Sequence, residues 1–81
     1  MPDELKFEII NEIGVVAEHK AGWRIELNRI SWNGNEPKYD LRNWGPERSK
    51  MGKGITLTEQ EIRNLHKILS TEVDFLDEME G

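Results

Sequence analysis

The chain has 81 residues, of which 36% are hydrophobic, with a formal net charge of −5 and no cysteine. These numbers predict one small domain over residues 1–81 with a thin core, and they exclude disulfides and thiolate metal sites. The start lacks the features of a signal peptide and no apolar run is long enough to span a bilayer, so we expect a cytoplasmic protein. A fold this small needs tight packing or a partner, and we expect a homodimer.

The first strand is predicted over residues 7–16, which are rich in Ile and Val. Gly14 falls inside this stretch and marks a bend or a bulge. The polar stretch at residues 18–22 then supplies a turn.

The second strand is predicted from its alternation over residues 23–32. Trp23, Ile25 and Leu27 fall on one face, and Arg24, Glu26 and Asn28 fall on the other. Ile30 and Trp32 continue the polar face. Either a bulge near Asn28 and Arg29 returns them to the core, or they lie exposed beside arginine.

Turn-forming residues at 33–37 lead to a third strand at 38–44, in which Trp44 has the same parity as Lys38 and Arg42. A polar loop at 45–52 and a short fourth strand at 54–57 follow.

A helix is predicted to begin at Thr58, because Thr58 and Glu61 have the spacing of a capping box. Its apolar stripe would pack against the sheet or a partner helix. The stripe consists of Ile62, Leu65, Leu69, Val73 and Leu76. We expect the acidic end after Glu72 to fray. The elements together predict an α+β fold of four strands and one helix.

Charge is distributed unevenly along the chain. Residues 1–57 hold nine basic and nine acidic residues, whereas residues 58–81 hold two and seven. Residues 38–53 hold five Lys or Arg against two Asp or Glu, a local net charge of +3. Local charge decides where a phosphate backbone docks, so this segment is a candidate nucleic-acid surface; a solvated polar surface is the alternative.

Aromatic side chains on a cationic sheet face can stack nucleobases without regard to sequence. Trp32 and Trp44 fit this pattern if they are open to solvent, and are ordinary sheet residues if they are buried. The Gly-Lys pair at Gly52 is no phosphate-binding P-loop, because Glu47 and Gly54 occupy positions that the motif reserves for Gly and Ser or Thr. The two histidines and the serines form no metal-ligand or nucleophile pattern, so we expect no enzyme activity, metal or cofactor.

The segments "YDLRNW", "GKGITL" and "TEQEIRNL" resemble the C-terminal domain of the positive cofactor four family of transcriptional coactivators. "SWNGNEPKYDLRNW" followed by "KMGKGITLTEQEI" is most similar to its bacterial branch, the YdbC-type proteins. The resemblance covers residues 7–70. It implies a curved antiparallel four-stranded sheet, a C-terminal helix and a homodimer.

The resemblance also implies binding of single-stranded DNA with little sequence preference, in transcription, replication or repair, and thus an association with the nucleoid. By this resemblance Trp32 and Trp44 stack on bases, while Arg42 and Lys53 belong to the same surface, with Ile30 and Trp32 facing outward and no bulge required. The further phosphate ligands are predicted among Arg24, Arg29, Lys38, Arg48 and Lys50.

Two alternatives remain open from the sequence. The acidic C-terminal helix could dock a protein partner while the tryptophans form the core. Single-stranded RNA could replace DNA as the ligand, because stacking surfaces do not distinguish the sugars by themselves.

Overall fold

The computed structural model describes residues 6–80. Residues 1–5, on which the expectation of no signal peptide rests, and Gly81 lie outside the described residues. It consists of one antiparallel sheet in the strand order β1-β2-β3-β4, followed by helix α1. The elements are β1 (Phe7–Glu18), β2 (Arg24–Trp32), β3 (Lys38–Trp44), β4 (Met51–Leu57) and α1 (Glu59–Glu80). This arrangement confirms the predicted α+β fold. Within residues 6–80 no helix is long and apolar enough to cross a membrane.

Strand β1 carries three irregularities where it pairs with β2. The register shifts between Ile9 and Asn11, between Glu12 and Gly14, and between Val15 and Ala17, each time with one extra residue in β1. The predicted bulge near Gly14 is therefore confirmed. A bulge strengthens the local twist and bends the strand, so three bulges within twelve residues coil this hairpin strongly.

The contacts of Phe7 reveal how far the sheet is bent. Phe7 pairs with Trp32 at one end of β2, whereas Trp44 pairs with Arg24 at the other end. In a flat sheet these two ends of β2 would be about 26 Å apart along the strand direction. Yet the ring centroids of Phe7 and Trp44 are 5.5 Å apart. The face that carries these rings is therefore the concave one.

Strand β4 begins at Met51, three residues before the predicted start. Gly52 and Gly54 lie within it because β3 passes too close for a side chain. A Cβ on Gly52 would lie 2.6 Å from the carbonyl oxygen of Asn43, and one on Gly54 would lie 2.6 Å from Cβ of Arg42. The two glycines thus permit close packing of β3 and β4 rather than a tight turn.

Helix α1 begins with the predicted capping box. The Glu61 amide donates to Oγ1 of Thr58, and the Thr58 amide donates to Oε1 of Glu61. The expectation that the helix frays after Glu72 is wrong, since it continues to Glu80. Beyond Leu65 its apolar stripe does not lie against the sheet of the same chain: Leu69, for example, is 49% exposed.

Candidate nucleic-acid interface

The concave face is built from alternate residues of β2 and β3. Its members are Arg24, Glu26, Asn28, Ile30 and Trp32 from β2 and Lys38, Asp40, Arg42 and Trp44 from β3. Strand β2 runs against β3 without a register shift from Arg24 to Ile30, so no bulge interrupts β2 near Asn28. Ile30 lies on this face as the resemblance implies, but it is fully buried rather than open.

Three aromatic side chains meet on this face, and we call them the aromatic cluster: Phe7, Trp32 and Trp44. The Phe7 ring lies 5.7 Å from Trp32 and 5.5 Å from Trp44, tilted by 42° and 40°. The Arg42 guanidinium lies 5.2 Å from the centroid of the Trp32 ring, within cation–π range. Trp32 is half-buried.

Trp44 is only 1% exposed. The expectation of an open Trp44 ring is therefore wrong for the single chain, because bending of the sheet brings Phe7 onto it. Neither the Trp32 nor the Trp44 indole N–H finds an acceptor within residues 6–80. Trp44 is thus held by packing, and Trp32 by packing and by the Arg42 guanidinium.

Arg42 is held rigidly by its own strand and by β4. Its Nε and Nη2 donate to the two carboxylate oxygens of Asp40, each at 2.9 Å, and its Nη1 donates to the Gly52 carbonyl at 3.0 Å. Asp40 is fully buried and also accepts from Thr56. A bidentate guanidinium–carboxylate pair of this kind fixes the plane of the guanidinium beside Trp32.

Glu26 organises a second group of cations at the other end of the groove. Its side chain is 3% exposed and accepts from Arg24 Nε and Nη2, from Asn28 and from Arg48 Nε. Burial alone would raise the pKa of Glu26, but the hydrogen bonds from Asn28, Arg24 and Arg48 outweigh it and hold the pKa below its usual value. Glu26 therefore remains ionised and keeps the two arginines side by side.

Arg48 reaches this group from the turn between β3 and β4. Glu47 and Arg48 both adopt positive φ, at 53° and 57°, a conformation that costs about 1 to 2 kcal/mol per residue outside glycine. Arg48 Nη2 also donates to Glu12 of β1, at 3.0 Å. Its ion pairs with Glu26 and Glu12 thus tie the strained turn to the hairpin.

Three of the predicted cations do not join these groups. Arg29 pairs with Tyr39 and lies on the opposite, convex face by alternation. Lys53 is exposed at a register shift between β3 and β4 and makes no ion pair with these groups in the described part of the chain. Lys50 is exposed in the turn before β4. The structure therefore gathers Arg24, Trp32, Lys38, Arg42, Trp44 and Arg48, and separates Arg29, Lys50 and Lys53 from them.

Acidic side chains balance much of the positive charge of the concave face. Four cations, Arg24, Lys38, Arg42 and Arg48, lie with four carboxylates, Glu12, Glu18, Glu26 and Asp40. These charges cancel, because β1 and β2 contribute carboxylates that lie outside residues 38–53. Glu26, Asp40 and Phe7 are the members of this surface that sequence reasoning missed. No group of three potential metal ligands occurs in the described part of the chain.

The fold and this surface define a class of small protein: an open, coiled four-stranded sheet with a C-terminal helix and a concave face of aromatic rings and fixed arginines. The family described as "Transcriptional Coactivator p15 (PC4)" matches residues 19–68, more than half of the chain. This chain belongs to that family of nucleic-acid-binding, non-enzymatic proteins.

An uncharacterized protein of Treponema pallidum (strain Nichols) is similar as well. It is 45% identical over 69 residues, which cover 85% of this chain and 81% of the relative. A span of 69 residues in a chain of 81 must include residues 13–69, so the similarity covers the second half of β1 in addition to residues 19–68.

Proposed function

We propose that this chain is a single-domain, homodimeric protein that binds single-stranded DNA without strong sequence preference. The observation that carries the proposal is the Arg42 guanidinium fixed 5.2 Å from the Trp32 ring inside a concave groove. Stacking on aromatic rings supplies about 1 to 3 kcal/mol per base and accepts every base, and neighbouring cations pair with phosphates. Membership of the family supports the same ligand.

The buried carboxylates orient the arginines of the groove before a ligand binds. Asp40 and Glu26 hold three guanidinium groups in fixed orientations, so little side-chain entropy is lost when a phosphate approaches. Because the charges of the face cancel, it attracts few phosphates and stacking carries a large share of the affinity. We expect log K to fall against log salt with a slope of about −0.7 for each phosphate neutralised.

The convex side supports the proposal of a homodimer. Ile55 of β4 is 55% exposed there, and the apolar stripe of α1 is open along its length beyond Leu65. Apolar surface of this extent is typical of interfaces, and a second copy would bury both the stripe and the sheet face.

Two arginines on the same strand provide a matched test of which face binds. Arg24 lies on the concave face and Arg29 on the convex face. Replacing Arg24 by Ala should weaken binding of an oligo-dT about fivefold and make the salt slope shallower, because one phosphate contact is lost. Arg29→Ala should bind as the wild type does. Anisotropy titrations at several salt concentrations measure both quantities.

Tryptophan fluorescence provides the decisive control on the function itself. Oligo-dT should quench the wild-type emission. Trp32→Ala should weaken the binding free energy by about 1 to 3 kcal/mol, the contribution of one stacked base. An unquenched spectrum and no retention of oligo-dT would contradict the proposal and favour the protein-interaction alternative. A matched RNA oligomer that binds more tightly than DNA would reassign the natural ligand.

A further inference from the structure

Trp44 has no accessible face on which a base could stack, because the described chain covers it almost completely. Its cover includes Phe7, whose ring centroid lies 5.5 Å away. Phe7 itself is 40% exposed. A ligand that enters the groove therefore meets Phe7 before it meets Trp44.

Phe7 is also in contact with the second tryptophan. It pairs with Trp32 across β1 and β2, and their ring centroids are 5.7 Å apart. Arg42 lies at 5.2 Å from the Trp32 ring, so Phe7 and Arg42 both border Trp32. Phe7 thus occupies a central position in the aromatic cluster and is its link between the two tryptophans.

The backbone around Phe7 is anchored rather than loose. The Lys6 amide donates to Oδ1 of Asn33 at 3.0 Å, and the Asn33 amide donates to the Lys6 carbonyl at 2.7 Å. Asn33 adopts a positive φ of 52°, which asparagine tolerates better than most residues. This reciprocal pair fixes the end of β1 against the end of β2 and presets the position of the Phe7 ring.

We propose that Phe7 is a base-stacking residue of the groove, adjacent to Trp32, and that Trp44 supports its ring from below. This inference rests on the proposed function and adds a second aromatic contact to it, beside Trp32. An anchored, partly exposed ring loses little conformational freedom on binding, which favours a stacking surface over a movable cover. Removing the cover would instead tighten binding by uncovering Trp44, so the two roles predict opposite effects.

The test compares three variants with the wild type in oligo-dT titrations. Phe7→Leu keeps an apolar side chain of similar volume in the cluster but removes the aromatic face, and we expect about tenfold weaker binding. Phe7→Tyr keeps the face and should bind within about twofold of the wild type. Phe75→Leu makes the same exchange at a phenylalanine of α1 that is 52% exposed, and it should leave the affinity unchanged.

A direct readout of stacking accompanies these titrations. Oligo-dT carrying 5-iododeoxyuridine forms photochemical crosslinks with aromatic rings that stack on it, and peptide mass spectrometry locates them. We expect crosslinks at Phe7 and Trp32. Because this readout uses the wild-type chain, it does not depend on the stability of any variant.

The possible results separate this inference from the proposed function. If the wild type does not bind oligo-dT, the proposed function fails. If the wild type binds but Phe7→Leu binds equally or more tightly, or loses no more than Phe75→Leu, the stacking role of Phe7 is wrong. Crosslinks at Trp44 with none at Phe7 would also overturn it, because they would identify Phe7 as a cover that moves away.

Discussion

The two faces of the sheet differ in how completely a single chain pairs their charged groups and covers their apolar side chains. On the concave face, Glu26 and Asp40 are buried, and each is paired with arginine within the same chain. On the convex face and on α1, apolar side chains such as Ile55 and Leu69 are about half exposed. The buried carboxylates are thus paired within the chain, whereas much of the apolar surface is left uncovered.

This difference indicates that the groove and the stability of the fold depend on a second copy to different extents. A single chain already assembles the aromatic cluster and its arginines, so the groove needs no partner residue to form. Burying apolar surface stabilises the folded state by roughly 25 cal/mol per Å². In the single chain much of the apolar surface of the convex side is exposed and does not provide this stabilisation. We therefore expect a second copy to stabilise the fold more than it alters the groove.

The largest effect should come from a charge in the apolar stripe of α1. Leu69→Asp would place a carboxylate twice in the proposed dimer interface, where burying an unpaired charge costs several kcal/mol. We expect the dimer dissociation constant to rise by at least about ten-thousandfold and the melting temperature to fall. Light scattering after size exclusion should detect the change in mass.

Thr71→Asp serves as the control, because Thr71 lies on the side of the helix opposite to the stripe. It should retain the dimer and the wild-type melting temperature within a few degrees. If Leu69→Asp behaves in the same way, the stripe is not the dimer contact.

A smaller loss should follow from truncation of the buried tryptophan. Trp44→Ala removes a side chain that is almost completely buried, and such changes cost about 3 to 5 kcal/mol of unfolding free energy. Trp32→Ala, at a half-buried position, should lose clearly less stability. Urea denaturation followed by circular dichroism compares the two, and equal losses would show that the burial of Trp44 is not a source of stability.

The smallest effect concerns the charge of Glu26. Hydrogen bonds from three donors hold its pKa below the unfolded value, so its ionised form stabilises the folded state above about pH 4.3. We expect Glu26→Gln to cost about 1 to 2 kcal/mol at pH 7. This difference from the wild type should shrink as the pH falls below about 4.3, because Glu26 then becomes protonated in the unfolded chain, and it should be lost once the pH falls below the lowered pKa of the folded state.

Glu12→Gln is the matched control, since the Glu12 side chain is 70% exposed and its ion pair with Arg48 is screened by solvent. Chemical denaturation between pH 3 and pH 7 should show a pH-dependent difference for Glu26→Gln and almost none for Glu12→Gln. A difference for Glu26→Gln that stays constant over this range would contradict the depressed pKa.

The sequence predicted the elements well because their signals are local. Alternation in β2 and β3 and the Thr58–Glu61 capping box depend on neighbours within a few residues. The start of β4 at Met51 was missed because Gly52 has little strand propensity, and its place in the sheet follows from the close approach of β3.

The composition of the groove was predicted less completely because its signals are long-range. The contact between Phe7 and Trp44 arises from bending accumulated over three bulges in β1. The pairing of Arg48 with Glu26 joins residues 22 positions apart. A count of charges over residues 38–53 could not include that carboxylate, and it therefore overstated how cationic the surface is.

The bulges of β1 also affect how this protein associates with itself. β1 is an outer strand of twelve residues with exposed Ile10, Ile13 and Val16, and a regular strand of that kind invites another chain to extend the sheet. Each of these three is the extra residue at a bulge, so the unpaired amides and carbonyls of the edge are irregularly spaced. The same irregularity that closes the groove around Phe7 thus also protects the chain from edge-to-edge aggregation.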